Sequence, residues 1–513
     1  MGTTNELPAG PDLRQGVSAQ QLRERGKLLG SVNGEPVLLV WRDGEIYAVG
    51  ATCTHYSGPL AEGLIEGNHV HCPWHHACFD LRTGAAEAPA LNPIPCYQVV
   101  RDGDSVRVGD KVTQPAPKPV EGPASVVIVG AGAAGHAAAE ALRNAGYTKP
   151  ITLVSGEVSG PVDRPNLSKD YLAGNAPPEW MPLRPPEFFT EQKLSLHTDR
   201  MVTAIHPKLH QIELSNGDRI GYGVLLLATG ASPIRLPIPG ANLPHVFTLR
   251  SLADADRIID TAQHAKRAVV IGASFIGLEV AASLRTRGLE VAVVGPELVP
   301  LERVMGAAVG KAVQKLHESH GVAFCLGRKP AAIEQGKVTL DDGTLLEAGL
   351  VVMGVGVRPN TALAEKAGLK VENGILVDAQ LRTSHEGIWA AGDAARWPSP
   401  LTGDSVRIEH WQVAQRQGEA AAKSILGSTE AYHDVPFFWS AHYDRTIRYT
   451  GVGVGFTDVA LDGDPASDSW TALYKRDGKV IAVATLGRDH VCLEAEQALA
   501  RGDQGFLNSL ARK

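Results

Sequence analysis

Two glycine-rich loops, about 140 residues apart, constrain the fold of this chain more than any other sequence feature. The apolar run Ser125–Val129 leads into GAGAAG, and the apolar run Ala268–Ile271 leads into GASFIG and a helical segment through Arg285. In such strand–loop–helix units the glycines permit a tight turn, close approach of a pyrophosphate and helix–strand packing. The helix N-terminus then faces the phosphate charge. The sequence therefore predicts two α/β dinucleotide-binding domains.

The first loop offers Gly130, Gly132 and Gly135. A structural glycine turn is the alternative interpretation of the loop alone, but its context favours a cofactor site. The second strand, Ile151–Val154, ends near Glu157, which suits a carboxylate that binds an adenosine ribose. Three further segments follow in order: DRPNLSKDYLAG, which includes Arg164 and Lys169, then ATGASP, then AAGD.

The second loop has Gly272 and Gly277, with Ser274 at the middle glycine position and Phe275 and Ile276 opening the helix. Serine is small enough to leave the pyrophosphate site accessible, although a non-binding unit is the alternative. After the strand Val291–Val294, an acid for the ribose of NAD is expected. Gly295 and Pro296 stand there instead, followed by Glu297, and this weakens the case for NADH alone. Arg303 could face a 2′-phosphate or be a solvated helix charge.

A second kind of site is predicted near the start of the chain, where Cys53-Thr54-His55 precedes Cys72-Pro73-Trp74-His75. A Rieske [2Fe–2S] cluster needs two thiolates on one iron and two imidazoles on the other, and each loop here offers one of each. A Cys₂His₂ zinc site is the alternative, but finger-type zinc sites keep their cysteines together and their histidines together. The interleaved order favours the iron–sulfur cluster, with Cys53, His55, Cys72 and His75 as metal ligands.

Composition excludes some function classes. The formal net charge of −7 disfavours nucleic acid as a partner, because phosphate binding needs a basic face. The N-terminal segment MGTTNELPAGPDLRQ lacks the apolar stretch of a secretory signal, and no run of about 18 apolar residues predicts a membrane span. Four of the six cysteines lie within the first hundred residues, which indicates a local site rather than a disulfide framework. We expect a cytoplasmic protein that does not bind membranes.

These motifs carry two resemblances. Residues 20–110, with CTHYSG and CPWHHACFD, resemble a soluble, oxygenase-type Rieske ferredoxin domain. Residues 125–513 resemble the FAD-dependent pyridine-nucleotide oxidoreductases of the ferredoxin-reductase and apoptosis-inducing-factor type. The order of the parts, together with CPWHHACFDLRTG and PFFWSAHYD, is similar to the Rieske-bearing, apoptosis-inducing-factor-3-like branch of that family.

The resemblance implies roles for particular residues. Asp393 is expected to meet the ribityl–pyrophosphate region of FAD, and Lys169 is expected beside flavin N5, paired with Glu279. Gly356 matches a turn near the nicotinamide cofactor. Trp411 is as compatible with a flavin contact as with a packed core aromatic. No dithiol lies near DRPNLSK, so a disulfide-exchanging flavoenzyme is not expected.

Two positions depart from the family pattern. His76 stands where the family usually has glycine after the second ligand histidine, and Gly156 stands where the family usually has an acid at the end of the second strand. We expect Glu157 to replace that acid. His69, His71 and His76 are expected to be surface or turn histidines, and Cys78 and Cys96 to be buried thiols rather than a structural pair.

The predicted fold class is multi-domain: an all-β Rieske domain, two α/β Rossmann-like domains for FAD and NAD(P) arranged as in glutathione reductase, and a small α+β C-terminal domain. The predicted boundaries are 1–112 for the Rieske domain, 113–124 for a linker, 125–248 and 367–433 for a discontinuous FAD domain, 249–366 for the NAD(P) domain, and 434–513 for a C-terminal domain of the reductase or dimerisation type.

The predicted function is electron transfer from NADH or NADPH through FAD to the built-in [2Fe–2S] cluster and on to an external acceptor, either a protein or a small oxidant. His55 and His75, on the outer iron, are the expected exit. Two alternatives stay open: an NAD(P)H oxidase or redox sensor, and a non-enzymatic interaction protein. A monomer and a homodimer are equally compatible with the sequence.

Overall fold

The computed structural model describes residues 10–512, so most of the N-terminal segment judged not to be a secretory signal lies outside the described residues. By internal contacts the chain forms two compact units. Unit 1 consists of the chain up to residue 118 together with residues 488–501, and unit 2 consists of residues 119–487 and 502 onward. Within the described residues, no helix is both long and apolar enough to span a membrane.

Unit 1 is built on antiparallel strands, as the alternating apolar runs between Asp-Gly and Asn-Gly turns predict. Its larger sheet contains, in spatial order, Val17–Ser18, Ser105–Val112, Cys96–Asp102, Glu45–Gly50, Glu35–Arg42 and Lys27–Val32. A smaller antiparallel sheet carries the cluster loops and contains Leu64–Glu66, His69–His71, Cys78–Asp80 and Ala86–Glu87. The described residues of the unit also form the α-helices Ala19–Arg25 and Asp489–Arg501 and the short 3₁₀ helix Leu60–Glu62.

Unit 2 contains two five-stranded parallel sheets, and in each of them one strand leads directly into a glycine loop. The first has the order Leu194–His197, Ile151–Val154, Val126–Val129, Val224–Leu227 and Ile388–Ala390. Its last strand lies far along the chain, which agrees with the predicted return to the first domain. The second sheet has the order Val246–Thr248, Leu350–Met353, Arg267–Ile271, Glu290–Gly295 and Val322–Leu326. Strands buried on both faces explain the continuous apolar runs in the sequence.

Helices and small sheets cover these two parallel sheets. The helices of unit 2 before the last sheet are Ala133–Asn144, Asp170–Ala173, Pro186–Glu191, Leu252–His264, Phe275–Thr286, Glu302–Ser319, Ala362–Lys366 and Trp411–Ile425. The additional strands are Val202–His206, Gln211–Leu214, Arg219–Gly221, Ala231–Pro233, Pro330–Glu334, Gly336–Leu340, Leu345–Ala348, Val357–Pro359, Ile375–Leu376, Ala395–Pro398 and Ser405–Val406.

A final antiparallel sheet follows residue 434. Its strands, in spatial order, are Phe437–His442, Arg445–Gly451, Lys479–Leu486, Trp470–Arg476 and Asp458–Asp462, and the helix Gln504–Ser509 belongs to the same unit. The buried faces of these strands pack into the core around the second parallel sheet. The multi-domain fold class expected from the sequence is therefore confirmed: a β domain, two α/β domains and an α+β segment.

Candidate functional site: a [2Fe–2S] centre and two dinucleotide cradles

The four predicted cluster ligands lie on two tight loops of unit 1. The Cys53 N–H donates to the Gly58 carbonyl at 2.9 Å, and the Cys72 N–H donates to the Ala77 carbonyl at 2.8 Å, so each loop is closed by its own backbone. Gly58 is required where the loops meet, because a Cβ there would lie 2.6 Å from Cys72 Sγ. The loops thereby bring one thiol and one imidazole from each side together.

The environments of the two ligand types differ. Cys53 and Cys72 are buried and interact with each other, which lowers the pKa of the Cys53 thiol and raises that of the Cys72 thiol well above its usual value. His55 and His75 are half-buried, with ring centroids 5.1 Å apart. Burial lowers the pKa of His55 to about 3, so its imidazole is neutral, which is the form that binds metal. This donor set fits a [2Fe–2S] cluster with thiolates inside and imidazoles outside.

Within the described residues, no three His, Cys, Asp or Glu side chains converge as ligands of a single ion. A binuclear cluster takes only two protein ligands per iron, so it does not need such a group. All six cysteines lie in the described part of the chain and none forms a disulfide bond. The prediction that Cys78 and Cys96 are buried thiols is confirmed.

His76 is a buried residue rather than a surface one. It adopts a left-handed backbone conformation with φ of 55°, and its side chain has no exposed area. Its Nδ1 hydrogen-bonds with Glu496 Oε2, from the helix Asp489–Arg501 of the same unit. His71 is also buried, in the strand His69–His71. The expectation of surface positions is corrected for both residues, although His76 does occupy a turn.

The first glycine loop of unit 2 forms a cradle that side chains would fill. A Cβ on Gly130 would lie 2.1 Å from the Ala228 carbonyl oxygen, and one on Gly135 would lie 1.9 Å from the Gly130 carbonyl oxygen. Gly132 ends the loop, with the Arg164 guanidinium 3.6 Å from the position of its absent Cβ. The backbone is therefore open on the side where a pyrophosphate would bind.

Charged residues surround this cradle. Glu157 accepts a hydrogen bond from Arg164 at 2.5 Å, and burial lowers the pKa of Arg164. At Gly156 a Cβ would lie 2.2 Å from Sδ of Met201, whose side chain is 60% exposed, so a side chain at position 156 would require Met201 to move. Asp393 is 8% exposed and accepts a hydrogen bond from Arg250 at 2.7 Å. The site thus combines a glycine turn, two carboxylates and two guanidinium groups, a donor set that fits FAD.

Lys169 and Glu279 are brought together from different domains of unit 2, as the resemblance implies. Lys169 Nζ lies 2.9 Å from Glu279 Oε2, and the Glu279 side chain is 2% exposed. Ser168 and Ser440 donate to the two oxygens of the same carboxylate at 2.5 and 2.7 Å. Trp411 begins the helix Trp411–Ile425 and packs, half-buried, against the core of the first sheet, which leaves both interpretations of this residue open.

The second glycine loop has the same geometry. Gly272 has a φ of 116°, and a Cβ on Gly277 would lie 2.0 Å from the Gly272 carbonyl oxygen. Ser274 donates to the Gly354 carbonyl at 2.8 Å. Phe275 stacks edge-on against Phe438 at 4.9 Å, Ile276 is 45% exposed, and Gly356 has a φ of 98° in the turn before Val357–Pro359.

Glu297 is a functional candidate whose position the sequence left undecided. Its carboxylate folds back over the end of the strand Glu290–Gly295: a Cβ on Gly295 would lie 2.9 Å from Glu297 Oε2 and 3.2 Å from Ala273 Cβ, in the glycine loop. Within the described part of the chain, that buried oxygen has no hydrogen-bond partner. A carboxylate held beside the loop without a donor is the expected partner of a ribose hydroxyl. Arg303 is exposed on the next helix.

Comparison with known protein families agrees with this organisation. Residues 16–98 match the Rieske [2Fe-2S] domain, residues 124–418 match the pyridine nucleotide-disulphide oxidoreductase family, and residues 437–511 match the reductase C-terminal domain. The chain belongs to the pyridine nucleotide-disulphide oxidoreductase family and is a FAD-dependent oxidoreductase of the ferredoxin-reductase type with an added Rieske [2Fe–2S] domain.

Particular relatives make the position in the family more specific. The chain is 35% identical over 489 residues to apoptosis-inducing factor 3 of Mus musculus, a match that covers 91% of this chain and 80% of the relative. It is 38% identical to the ferredoxin–NAD(+) reductase component of the anthranilate 1,2-dioxygenase system of Burkholderia cepacia, over 71% of this chain and 91% of the relative. The solved covalent putidaredoxin reductase–putidaredoxin complex matches with a TM-score of 0.72 and 33% identity, over 76% of this chain and 98% of that one.

Proposed function

We propose that this protein oxidises NADH and delivers the electrons singly, through its own Rieske cluster, to an external ferredoxin-type acceptor. The observation that carries the proposal is that one chain holds both a pair of dinucleotide cradles and a cluster site with its histidine ligands half-exposed. FAD, when bound, supplies the exchange between a two-electron hydride donor and one-electron carriers. The roles given below to individual residues are part of this proposal.

The chain contributes binding, orientation and charge. FAD is held by the first glycine loop, with Gly130, Gly132 and Gly135, and by the side chains of Glu157, Arg164 and Asp393. Lys169 places a cation where negative charge develops on the reduced cofactor, and Glu279 fixes the direction of the Lys169 side chain through the 2.9 Å contact. Gly272, Ser274 and Gly277 hold the nicotinamide dinucleotide.

The proposed exit for electrons is the histidine side of the cluster. Tyr56 is 37% exposed and stacks on His55, with ring centroids 4.0 Å apart, and its ring lies 5.3 Å from that of His75. An acceptor that approaches these side chains would come close to the outer iron. We propose the cytoplasm as the location, because two of the six cysteines are cluster ligands in this proposal and the other four are free thiols.

The choice of NADH over NADPH is supported by Glu297. Its buried oxygen can accept hydrogen bonds from ribose hydroxyls, whereas a 2′-phosphate would be repelled by the carboxylate. We expect Glu297→Ala to lower kcat/KM for NADH about tenfold, about 1.4 kcal/mol, with little loss for NADPH. Steady-state kinetics with both coenzymes and ferricyanide measure this change, with Glu302→Ala on the adjacent helix as the matched control. An unchanged preference in Glu297→Ala would show that this carboxylate does not select the coenzyme.

The test of the proposed function is an anaerobic titration of the holoprotein with NADH and, separately, with NADPH, followed by absorbance and low-temperature EPR. Bleaching of the flavin together with a rhombic [2Fe–2S] signal supports the internal path from nicotinamide to cluster. Flavin reduction with a cluster that stays oxidised contradicts that path and favours an oxidase or redox sensor. A protein that neither coenzyme reduces would instead be an interaction protein.

A further inference from the structure

A continuous line of buried polar side chains runs from Glu279 to the surface of unit 2. Ser440 Oγ lies 2.7 Å from Glu279 Oε1, and His442 Nε2 lies 3.1 Å from Ser440 Oγ. His442 Nδ1 lies 3.1 Å from His317 Nε2, and His317 Nδ1 lies 3.5 Å from the Tyr443 hydroxyl. Glu279, Ser440, His442 and His317 are each at most 2% exposed, whereas Tyr443 is partly exposed.

Three elements place these groups in line. Ser440 and His442 are two positions apart in the strand Phe437–His442, so their side chains point to the same face of the sheet. Glu279 comes from the helix Phe275–Thr286 and His317 from the helix Glu302–Ser319. Tyr443, at a φ of 60°, turns the chain back at the end of the strand and stacks on the exposed His320 with ring centroids 3.6 Å apart. No apolar residue interrupts the sequence of hydrogen bonds.

We propose that Ser440, His442, His317 and Tyr443 form a proton relay that connects the Lys169–Glu279 pair with solvent. This inference rests on the proposed function. Oxidation of NADH by two one-electron acceptors yields NAD⁺, two electrons and one proton, and that proton has to leave the buried neighbourhood of Glu279. In the relay each group gives up one proton and gains one. One proton therefore passes from the Glu279 end to solvent, and no group of the relay ends with more or fewer protons.

The hydrogen bonds have a definite direction. Because the Glu279 carboxylate can only accept, the Ser440 hydroxyl donates to it and accepts from His442 Nε2–H. His442 Nδ1 then accepts from His317 Nε2–H, and His317 Nδ1 accepts from the Tyr443 hydroxyl. Once Glu279 holds a proton, outward transfer requires both imidazoles to exchange to their Nδ1–H tautomers. Glu279 then donates to Ser440, Ser440 to His442 Nε2, His442 Nδ1–H to His317 Nε2 and His317 Nδ1–H to the Tyr443 hydroxyl, which releases its own proton to solvent. This transfer leaves Glu279 ionised and both imidazoles as Nε2–H tautomers again, so the line is reset.

Both imidazoles are neutral, as a relay by tautomer exchange requires. Burial lowers the pKa of His317 to about 2, with smaller contributions from His442 and His320. Burial also lowers the pKa of His442 to about 3, assisted by the Lys169 charge. The relay therefore carries no fixed charge of its own, and Lys169, His320 and Arg285 are the cationic or titratable groups that face its members.

The decisive variant is Ser440→Ala, which removes one hydroxyl from the middle of the line. Thr485→Val is the matched control, because Thr485 is a fully buried hydroxyl residue on the same sheet but outside the line. Ser440→Thr should restore the relay. The holoprotein is reduced anaerobically with NADH or, in a parallel arm, with dithionite, and is then mixed with ferricyanide in weak buffer. A pH-indicator dye reports proton release, and flavin absorbance reports reoxidation.

In the wild type, in Thr485→Val and in Ser440→Thr, proton release should keep pace with flavin reoxidation. In Ser440→Ala and His442→Phe it should lag by about tenfold or more. Proton release that keeps pace in both of these variants overturns the relay. Reduction with dithionite tests the relay even if NADH does not reduce the flavin. A flavin that NADH does not reduce would contradict the proposed function without bearing on the relay.

A second measurement does not depend on turnover. In the oxidised holoprotein, ¹⁵N NMR of labelled histidine, assigned with His442→Phe and His317→Phe, should show neutral Nε2–H tautomers for both residues at neutral pH. An Nδ1–H tautomer or a charged imidazole at His442 would break the line of donors and overturn the proposal.

Discussion

Replacing Cys72 by alanine is expected to abolish the [2Fe–2S] cluster while leaving the flavin in place. Cys72 is 1% exposed, and its thiol lies against that of Cys53, so its loss removes one of the two thiolates of the inner iron. The residues proposed to hold FAD all lie in unit 2. Iron content and the reduced-state EPR signal should therefore fall to background, while FAD content stays at the wild-type level.

Cys78→Ala is the matched control for this change. Cys78 is a buried cysteine at the start of the strand that follows the second ligand loop, 4% exposed and 3.9 Å from His71 Nε2. Its replacement should cost about 1–2 kcal/mol of stability from lost packing and leave the cluster bound. Reduction of ferricyanide by NADH should survive in both variants, whereas reduction of a one-electron acceptor protein should be lost only in Cys72→Ala. Cluster loss in Cys78→Ala with retention in Cys72→Ala would show that the ligand assignment is wrong.

The parts of this protein that the sequence predicts well are those whose signal is local. Each cluster loop brings its thiol and imidazole within a few residues, and each glycine loop lies between its own strand and helix, so spacing alone indicates the chemistry. The strand Ile151–Val154 was predicted with the bounds that the structure has, and Arg267–Ile271 was predicted to within one residue. The return of the chain to the first sheet at Ile388–Ala390 was also predictable, because the AAGD motif of the FAD domain stands at the end of this strand.

Contacts between distant parts of the sequence were not predictable in this way. The partner of His76 is Glu496, 420 positions away, and no pattern near either residue indicates the other. The line from Glu279 to Tyr443 likewise joins two helices and a strand that are far apart in the sequence. From the sequence the acid expected after the second strand is missing, because Gly295 and Pro296 stand there and Glu297 follows. Only the fold of this loop shows that the Glu297 carboxylate returns to the glycine loop. Long-range packing decides the first two features, and the conformation of one loop decides the third.

Residues 488–501 belong to unit 1, and this bears on whether the proline-rich linker lets the cluster domain swing. Residues 114–118 are exposed and without regular structure, which would suit a swinging cluster domain. The chain, however, passes between the two units at three points, at residues 118, 487 and 501. Any movement of the cluster domain as a body must therefore carry the helix Asp489–Arg501 with it or release it. His76 and Glu496 form the buried polar contact that would have to break on release.

Replacing Glu496 by alanine is accordingly expected to loosen the helix Asp489–Arg501 by about 2–3 kcal/mol. Glu496 is 3% exposed, and its loss leaves a fully buried imidazole without its carboxylate acceptor. Hydrogen exchange of the helix backbone should then become about 30–150 times faster, since 1.4 kcal/mol corresponds to a factor of ten. Hydrogen-exchange mass spectrometry of the holoprotein measures this directly, with cluster absorbance recorded to show that the centre is intact.

Glu494→Ala is the matched control, because Glu494 lies on the same helix, is 28% exposed in its side chain and pairs only with His490 at 3.6 Å among the contacts seen in the structure. Its replacement should change exchange by no more than about twofold, as for a solvent-exposed pair. His76→Gly supplies the second arm: glycine tolerates a φ of 55°, so relief of backbone strain partly offsets the lost hydrogen bond. The double variant His76→Gly/Glu496→Ala should then be less destabilised than the sum of the two single changes. Additive effects would mean that His76 and Glu496 do not stabilise each other, and that other contacts, among them the Arg501–Glu66 ion pair, hold the helix to the rest of unit 1.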